Sequence, residues 1–328
     1  MKYRRLGRTG IEVSEIGFGT WGIGGTAGGA TAYGAADDRE SKAALRRAFD
    51  LGVTFYDTSN LYGYGHSESL IGSAFKGLRK KVVLASKVGF GGAGDPQDFS
   101  PAHIRAAIEK SLKRLQTDYL DLYQLHSPPT ETLENLGDIL QTLSDLQSEG
   151  KVRALGVSVR SPEDGLGLVR NFKIPCLQVN FNLVDQRLLE TGLMELCERE
   201  EVGLVCRTPL CFGFLGGGYS EESEFDSQDH RHSWPREQRA LWVKAPRLFS
   251  PVRRTAGETP AQFALRFCLS YAPVSTVIPG MLKPEQVEEN IRASALGPLS
   301  RAEHAQVEEI YRKNTFFLGK KNGPRAVV

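Results

Sequence analysis

No stretch of the chain approaches the ~18 consecutive apolar residues that a membrane-crossing helix requires, so no membrane partner is expected. Cysteine is scarce: Cys176, Cys197, Cys206, Cys211 and Cys268 form no CxxC pair, and their number is odd. That pattern excludes a disulfide scaffold and predicts reduced thiols in a cytoplasmic protein. Net charge is lacking as well. The 41 Lys and Arg residues nearly balance 39 Asp and Glu residues, leaving a formal +2. The basic residues are scattered, which argues against a nucleic-acid partner held through its phosphates. The N-terminal MKYRRLGRTGIEVSEIGFG has no uninterrupted apolar core, and no signal peptide is read from it. There is no HExxH, no Cys/His ligand spacing and no carboxylate cluster, so no metal is implied.

Glycine, by contrast, is abundant. The 35 glycines exceed the ~7% of average chains, and they cluster at 17–34, 89–94 and 213–218. The first cluster contains Gly17-Phe18-Gly19-Thr20-Trp21-Gly22, a letter-for-letter match to the dinucleotide fingerprint GxGxxG. That fingerprint requires its third glycine to open a helix facing the pyrophosphate. Here the chain continues IGGTAGGATAYG, and each glycine costs a helix roughly 1 kcal/mol relative to alanine. The next credible helix starts near Asp37, with Glu40 at its third position. The match is therefore a loop, and a Rossmann domain is not expected.

Short apolar runs alternate with amphipathic segments along the whole chain. Strands are expected near Ile16 and over 53–57, 82–87, 119–126, 152–158, 177–180, 203–207 and 275–279. Helices are expected over 40–51, 68–76, 101–115, 133–149, 162–170, 188–199, 260–271 and 284–295. Ser100-Pro101, Ser161-Pro162 and Thr259-Pro260 each place a capping residue before a proline at the first helical turn. Eight strand–helix pairs with no evident linker predict a single domain over 1–328, an α/β (β/α)8 TIM barrel rather than a doubly wound sheet. An N-terminal β-hairpin (3–5 with 11–13, turning over 7–10) is expected to close its floor. A long loop after strand 7, 210–258, is expected to hold a polar, mobile stretch at 220–233. A helix at 235–250 should follow, with Leu241, Trp242 and Leu248 available for packing. A loop of this length is a candidate lid or pocket wall.

Three of the strands end on chemistry. GVTFYD ends at Asp57, VVLASK at Lys87 and YLDLYQLH at His126, each one strand–helix unit after the last. Tyr62 follows five residues beyond Asp57 in DTSNLYG. Adjacent strands of a barrel bring all four to one mouth. Taken singly, a strand-end lysine reaches solvent, an aspartate caps a turn, a histidine fills a corner and a tyrosine packs. An acid, a phenol, an ammonium and an imidazole together make a proton-donating site. A free phenol, with a pKa near ~10, donates poorly at neutral pH, and the Lys87 ammonium is expected to lower that value. Asp57 keeps the lysine charged, and His126 holds the substrate oxygen.

With these residues in hand, the chain resembles the aldo-keto reductase family over essentially its whole length. The resemblance rests on GFGTW, FYDTSNLYG, LASKVG, DLYQLHSP, KVRALGVS, QVNFN, TPLCFGFLGGGY and VIPGMLKPEQVEEN. It implies a (β/α)8 barrel that uses a nicotinamide cofactor without a Rossmann domain. It assigns the catalytic roles to Asp57, Tyr62, Lys87 and His126, and the substrate contacts to Trp21, Tyr62, Phe90 and His126. Thr20 and Trp21 border the nicotinamide, and Ser158 and Gln178 hold its carboxamide. Arg207 stands where an aromatic ring usually stacks on it. Thr208, Pro209, Leu210 and Gly213 match the loop over the pyrophosphate, and Gly280, Lys283, Gln286, Glu289 and Asn290 match the adenosine end.

Val159 departs from the asparagine often found after the serine. Gly280 and Gln286 stand where a lysine and an arginine often grip a 2′-phosphate, leaving that task to Lys283. NADP is the expected cofactor, with NAD the alternative. The expected activity is reduction of a small-molecule carbonyl or oxidation of the matching alcohol, with sugars or their derivatives as candidate substrates. The potassium-channel β subunits share this fold, and a cofactor-binding interaction subunit with slow turnover is the second reading.

Overall fold

The runs Phe55–Asp57, Val83–Val88 and Leu120–His126 are buried along almost their entire length. Strands hidden on both faces belong to a parallel sheet covered by helices. In the computed structural model, which describes residues 1–27, 32–92, 94–253 and 256–319, they form that sheet. Ten strands occur in chain order: β1 (Tyr3–Arg5), β2 (Glu12–Ser14), β3 (Phe18–Gly19), β4 (Phe55–Asp57), β5 (Val83–Val88), β6 (Leu120–His126), β7 (Val152–Ser158), β8 (Cys176–Asn180), β9 (Gly203–Arg207) and β10 (Val274–Val277). Strands β3 to β10 pair in sequence order, every neighbour parallel. The two edges meet through parallel bridges Ile16–Val277 and Gly19–Gly280. Gly17 N donates to the Val277 carbonyl at 2.8 Å and Gly19 N to that of Pro279 at 3.0 Å. The sheet is thereby a closed (β/α)8 barrel.

Helices follow the strands where capping chemistry starts them. Asp37 accepts from the N–H groups of Arg39 and Glu40 at the head of Asp38–Asp50. Ser100, Ser161 and Thr259 cap Pro101–Leu115, Pro162–Phe172 and Pro260–Leu269, each with proline in the first turn. Two expected helices are broken: 133–149 splits into Thr130–Glu134 and Gly137–Ser148, and 188–199 into Arg187–Glu190 and Leu193–Arg199. In the second case Gly192, in the left-handed conformation, makes the break. Helix Arg301–Lys313 was not expected, although Ser300 and Glu303 form a reciprocal capping box at its start.

The barrel interior is layered because side chains two apart on a strand share a face. At the floor, Phe55, Ala85, Leu122, Ala154, Cys176 and Val205 pack under Leu6, Ile11 and Val13 of the β1–β2 hairpin. Two residues further along the same strands stand Asp57, Lys87, Gln124, Gly156, Gln178 and Arg207. One layer is apolar and the next polar, so the strand ends carry the site.

After β9, the 3₁₀ turns Phe214–Gly216 and His230–Ser233 precede helix Arg236–Phe249. Trp242 is buried in its packed face, while Leu248 faces outward. The expectation of a mobile 220–233 stretch is corrected at its end. Asp229, His230 and Arg231 are buried, and Asp229 bridges to Ala32 and Tyr33 in the loop after β3. Gly28 and Gly29 of the first glycine cluster lie outside the described residues.

Candidate active site

The three strand-end residues Asp57, Lys87 and His126 meet Tyr62 from the loop after β4. Lys87 is fully buried, and its Nζ donates to Asp57 Oδ1 at 2.5 Å, to the Thr58 carbonyl at 2.9 Å and to Tyr62 Oη at 3.0 Å. All three ammonium protons are thereby used. His126 stands edge-on to Tyr62, with ring centroids 6.0 Å apart, and its Nδ1 lies 3.1 Å from Ser59 Oγ. Tyr62 opens a short turn, Tyr62–Gly65, in which Gly63, Tyr64 and Gly65 all have positive φ. Gly63 packs there against the backbone of Gly24, where a Cβ has no room.

Electrostatics follow from burial. For Lys87, burial alone lowers proton affinity, but the Asp57 carboxylate and Tyr62 more than reverse this, and the amine titrates above the ordinary lysine range. For Tyr62 the balance goes the other way from the sequence expectation. Desolvation of the phenolate outweighs the pull of the Lys87 ammonium, so the phenol titrates above its usual value. The expected acidification of Tyr62 is thus corrected: the lysine only offsets part of the cost of burial. Burial first, then Lys87 and Arg207, hold His126 well below the ordinary imidazole range, so it is neutral at physiological pH. Burial also lowers Arg207 from the usual guanidinium value.

Above this cluster lies a cavity of about 250 Å³. Asp57 and Tyr62 reach it, and Lys87 lies behind them. Thr20, Trp21, Gln178, Arg207, Thr208, Pro209, Leu210, Gly213, Gly280 and Gln286 line it. Thr20 is nonetheless occupied: its hydroxyl donates to the Asp57 carbonyl at 2.8 Å and accepts from Ser67 at 2.7 Å. Gln286 Oε1 accepts from the backbone of Leu282 and Lys283. Lys283 itself is exposed and pairs with Glu40 at 3.5 Å. Glu289 and Asn290 lie further along helix Pro284–Leu296, away from the cavity wall, with Asn290 buried. Phe90 lines a neighbouring groove with Asn60 and Tyr64 rather than this cavity, and packs edge-on against His126 at 5.0 Å.

The wall after β9 is strained. Thr208, Cys211 and Phe212 have φ of 52°, 44° and 57°, a region costing an L-residue roughly 1–2 kcal/mol. Two hydrogen bonds hold Thr208 there: its hydroxyl to Asn180 Oδ1 at 2.9 Å, and Asn182 Nδ2 to its carbonyl at 2.9 Å. The surrounding hydrogen bonds thus hold a strained backbone at the cavity wall, the kind of conformation that clusters at ligand-binding sites.

Unpaired buried polar atoms test whether a nicotinamide nucleotide fits. Among the described residues Ser158 Oγ, Arg207 Nε, Trp234 Nε1 and Trp242 Nε1 have no partner. Arg207, Trp234 and Trp242 line the cavity, and Ser158 ends β7 opposite Gln178 in the sheet register. Buried polar groups normally find partners; the three N–H donors on cavity-lining residues suit a ligand rich in acceptors, while seven other such atoms among the described residues lie outside the cavity lining. Gly19 and Gly280 are bridged across the closing strands, and Gly19 is there for that closure: a Cβ on it meets the Ile278 carbonyl at 2.6 Å.

Several residues of the site escaped the sequence reading. Ser59 and Asn60 bracket His126 and Phe90: Asn60 Nδ2 donates to the Phe90 carbonyl at 2.6 Å. Gln124 donates to Asp57 Oδ2 at 3.3 Å, beside the already expected Gln178, which donates to the same oxygen at 2.8 Å. Asp185 and Arg187 form a two-pronged ion pair at 2.6 and 2.7 Å on the cavity wall. A legible signal existed for Gln124 alone, a polar residue two before His126 in an otherwise apolar strand.

The Aldo/keto reductase family model matches residues 15–312. The aldo-keto reductase YhdN of Bacillus subtilis is 34% identical over 297 residues, covering 88% of this chain and 87% of that protein. The aldo-keto reductase yakc [NADP(+)] of Schizosaccharomyces pombe is 33% identical, covering 88% and 86%. Relatives at 29% identity include a probable voltage-gated potassium channel subunit beta of Arabidopsis thaliana, covering 91% and 93%. Among solved structures, the glycerol dehydrogenase AKR11B4 of Gluconobacter oxydans superposes with a TM-score of 0.81 at 28% identity, covering 97% of this chain and 98% of that one.

Proposed function

The chain belongs to the aldo-keto reductase family, and on that premise we propose that this oxidoreductase reduces an aldehyde or ketone, or oxidises the matching alcohol, with Tyr62 as the proton donor. The observation that carries the reading is the buried Lys87 ammonium, held between Asp57 and the Tyr62 hydroxyl. A single barrel domain over 1–328 performs the reaction, in keeping with the family match to residues 15–312.

A nicotinamide nucleotide, when bound, supplies the hydride. Ser158, Gln178 and Arg207 would hold its nicotinamide end, and the strained 208–213 loop with Gly280 and Gln286 would hold its phosphates and adenosine. Tyr62 carries its proton at neutral pH because burial keeps its affinity high, and Lys87 stabilises the phenolate left after transfer. Ser59 Oγ lies 3.1 Å from Nδ1 of the neutral His126 ring, and the tautomer protonated at Nε2 is the one that can donate to the substrate oxygen. NADP is the cofactor of choice, supported by the relative named with NADP(+); the Lys283–Glu40 pair makes NAD the competitor to test.

A hydroxylated carbonyl compound, such as a sugar derivative, is the proposed substrate class. The cavity lining offers polar groups from Asn182, Asp185 and Arg187 and aromatic rings from Trp21 and Phe212. The name of the neighbouring glycerol dehydrogenase points the same way.

Titrating the protein with NADPH and NADH and screening sugars, polyols and simple aldehydes tests the assignment. Tyr62→Phe should lower kcat by about 10²-fold or more and leave the NADPH Kd within about twofold. A variant with wild-type turnover removes Tyr62 from the acid role. Tight NADPH binding without turnover of any carbonyl favours the interaction-subunit reading instead.

A further inference from the structure

Asp57 has two carboxylate oxygens and one ammonium partner. Its Oδ1 is taken by Lys87 at 2.5 Å. Its Oδ2 is buried beneath the cavity and needs donors of its own, because an unsatisfied buried carboxylate oxygen is costly. Two amides supply them: Gln178 Nε2 at 2.8 Å and Gln124 Nε2 at 3.3 Å. The two glutamines also contact one another, Gln178 Nε2 lying 3.5 Å from Gln124 Oε1.

The two donors are not equivalent. Gln178 lines the cavity and is the residue that the proposed function gives to the cofactor. Gln124 is fully buried on β6, in register with Lys87 on one side and Gly156 on the other. The glycine makes its place: a Cβ on Gly156 meets Gln124 Cγ at 3.2 Å and the Cys176 carbonyl at 3.1 Å. Gln124 is therefore the donor that stays on Asp57 whatever Gln178 does.

We propose that Gln124 is a positioning residue for the proton-delivery site, pinning Asp57 Oδ2 so that Oδ1 stays on Lys87 while Gln178 engages the ligand. The proposal rests on the reading of Tyr62 and Lys87 as the proton-delivery pair. Without Gln124, Asp57 is free to rotate away from Lys87 whenever Gln178 turns to the cavity. Lys87 then loses part of the carboxylate field that raises its proton affinity, and it deprotonates at lower pH.

Gln124→Met keeps the volume and removes the donor. In that variant kcat should fall about tenfold, with the carbonyl KM and NADPH Kd within about twofold. The alkaline limb of the kcat profile should move to lower pH by about one unit. Gln178→Met should weaken NADPH binding as well, which separates the two glutamines. Gly156→Ala, which crowds Gln124 from the neighbouring strand, should reproduce the Gln124→Met pattern and serves if the methionine variant folds poorly. Wild-type kcat and an unmoved alkaline limb in Gln124→Met overturn the proposal while leaving the Tyr62 reading intact. If the wild-type protein turns over no carbonyl, the Tyr62 reading fails separately. Titration of ¹³C-labelled Lys87 by NMR still decides the case, since an unchanged Lys87 midpoint in Gln124→Met removes the role of Gln124.

Discussion

A lysine with no solvent contact stays charged only where every ammonium proton has an acceptor, and Lys87 has three: Asp57, Thr58 and Tyr62. Asp57 was legible at its strand end and Tyr62 in the loop beyond it, but the Thr58 carbonyl and the sign of the Tyr62 shift were not. That sign depends on how much of the ring is enclosed, and enclosure comes from residues distant in the chain. The same enclosure acts on histidine. Burial lowers His230 to about 4, while its Nδ1 lies against the Ala32 carbonyl at 2.9 Å. Between the unperturbed 6.5 and about 4, the unfolded chain binds a proton that the folded chain refuses, so stability falls as pH drops through that window. At pH 5 the loss from His230 is on the order of 2 kcal/mol. Urea midpoints at pH 7 and pH 5 check this: the drop should be smaller in His230→Gln, and an equal drop in both proteins refutes it.

Among the elements, the strap formed by 229–231 is the one whose behaviour the sequence misstated. SEESEFDSQDHRHS is polar enough to read as a loose connector. Yet Asp229 and Arg231 bury one another at 2.5 Å, and the guanidinium lies over the rings of Phe225, Tyr33 and Tyr219 at 4.5, 4.7 and 5.2 Å. His230 packs against Trp21 at 4.5 Å, so the strap ties the loop after β9 to the loop after β3 across the cavity. Asp229→Asn leaves the cation buried without its counter-charge, a change expected to cost about 3 kcal/mol. Limited proteolysis should then cut within 220–234 about tenfold faster or more, and the Trp21 fluorescence should shift toward a solvent-exposed spectrum. Cleavage at the wild-type rate means that the ion pair does not hold the strap. Elsewhere local chemistry did suffice: the caps at Ser100, Ser161 and Thr259 begin their helices where the sequence places them.

For the whole molecule, the barrel separates stability from chemistry along its axis. At the floor, Gly7 and Gly203 bring the hairpin turn against β9 so closely that a Cβ on Gly203 meets Gly7 N at 2.6 Å and the Leu6 carbonyl carbon at 2.7 Å. Gly203→Ala must lift the hairpin from the barrel. Overpacking of this kind costs roughly 1–3 kcal/mol, paid at the end opposite the cavity. The denaturation midpoint should fall while kcat stays within about twofold; a large loss of turnover with an unchanged midpoint contradicts the separation.

Alternating strands and helices, the capping residues and the strand-end Asp57, Lys87 and His126 were determined by the sequence alone. These signals act between residues close in the chain, through a period of two, a period of 3.6 and hydrogen bonds spanning three residues. Only the tertiary structure decided that Gln124 and Gln178 share an oxygen of Asp57, that Phe90 faces the neighbouring groove, that Lys283 spends its charge on Glu40, and that burial outweighs the lysine at Tyr62. Each of those outcomes is set by distances between segments tens to hundreds of residues apart, which exist only once the barrel has closed.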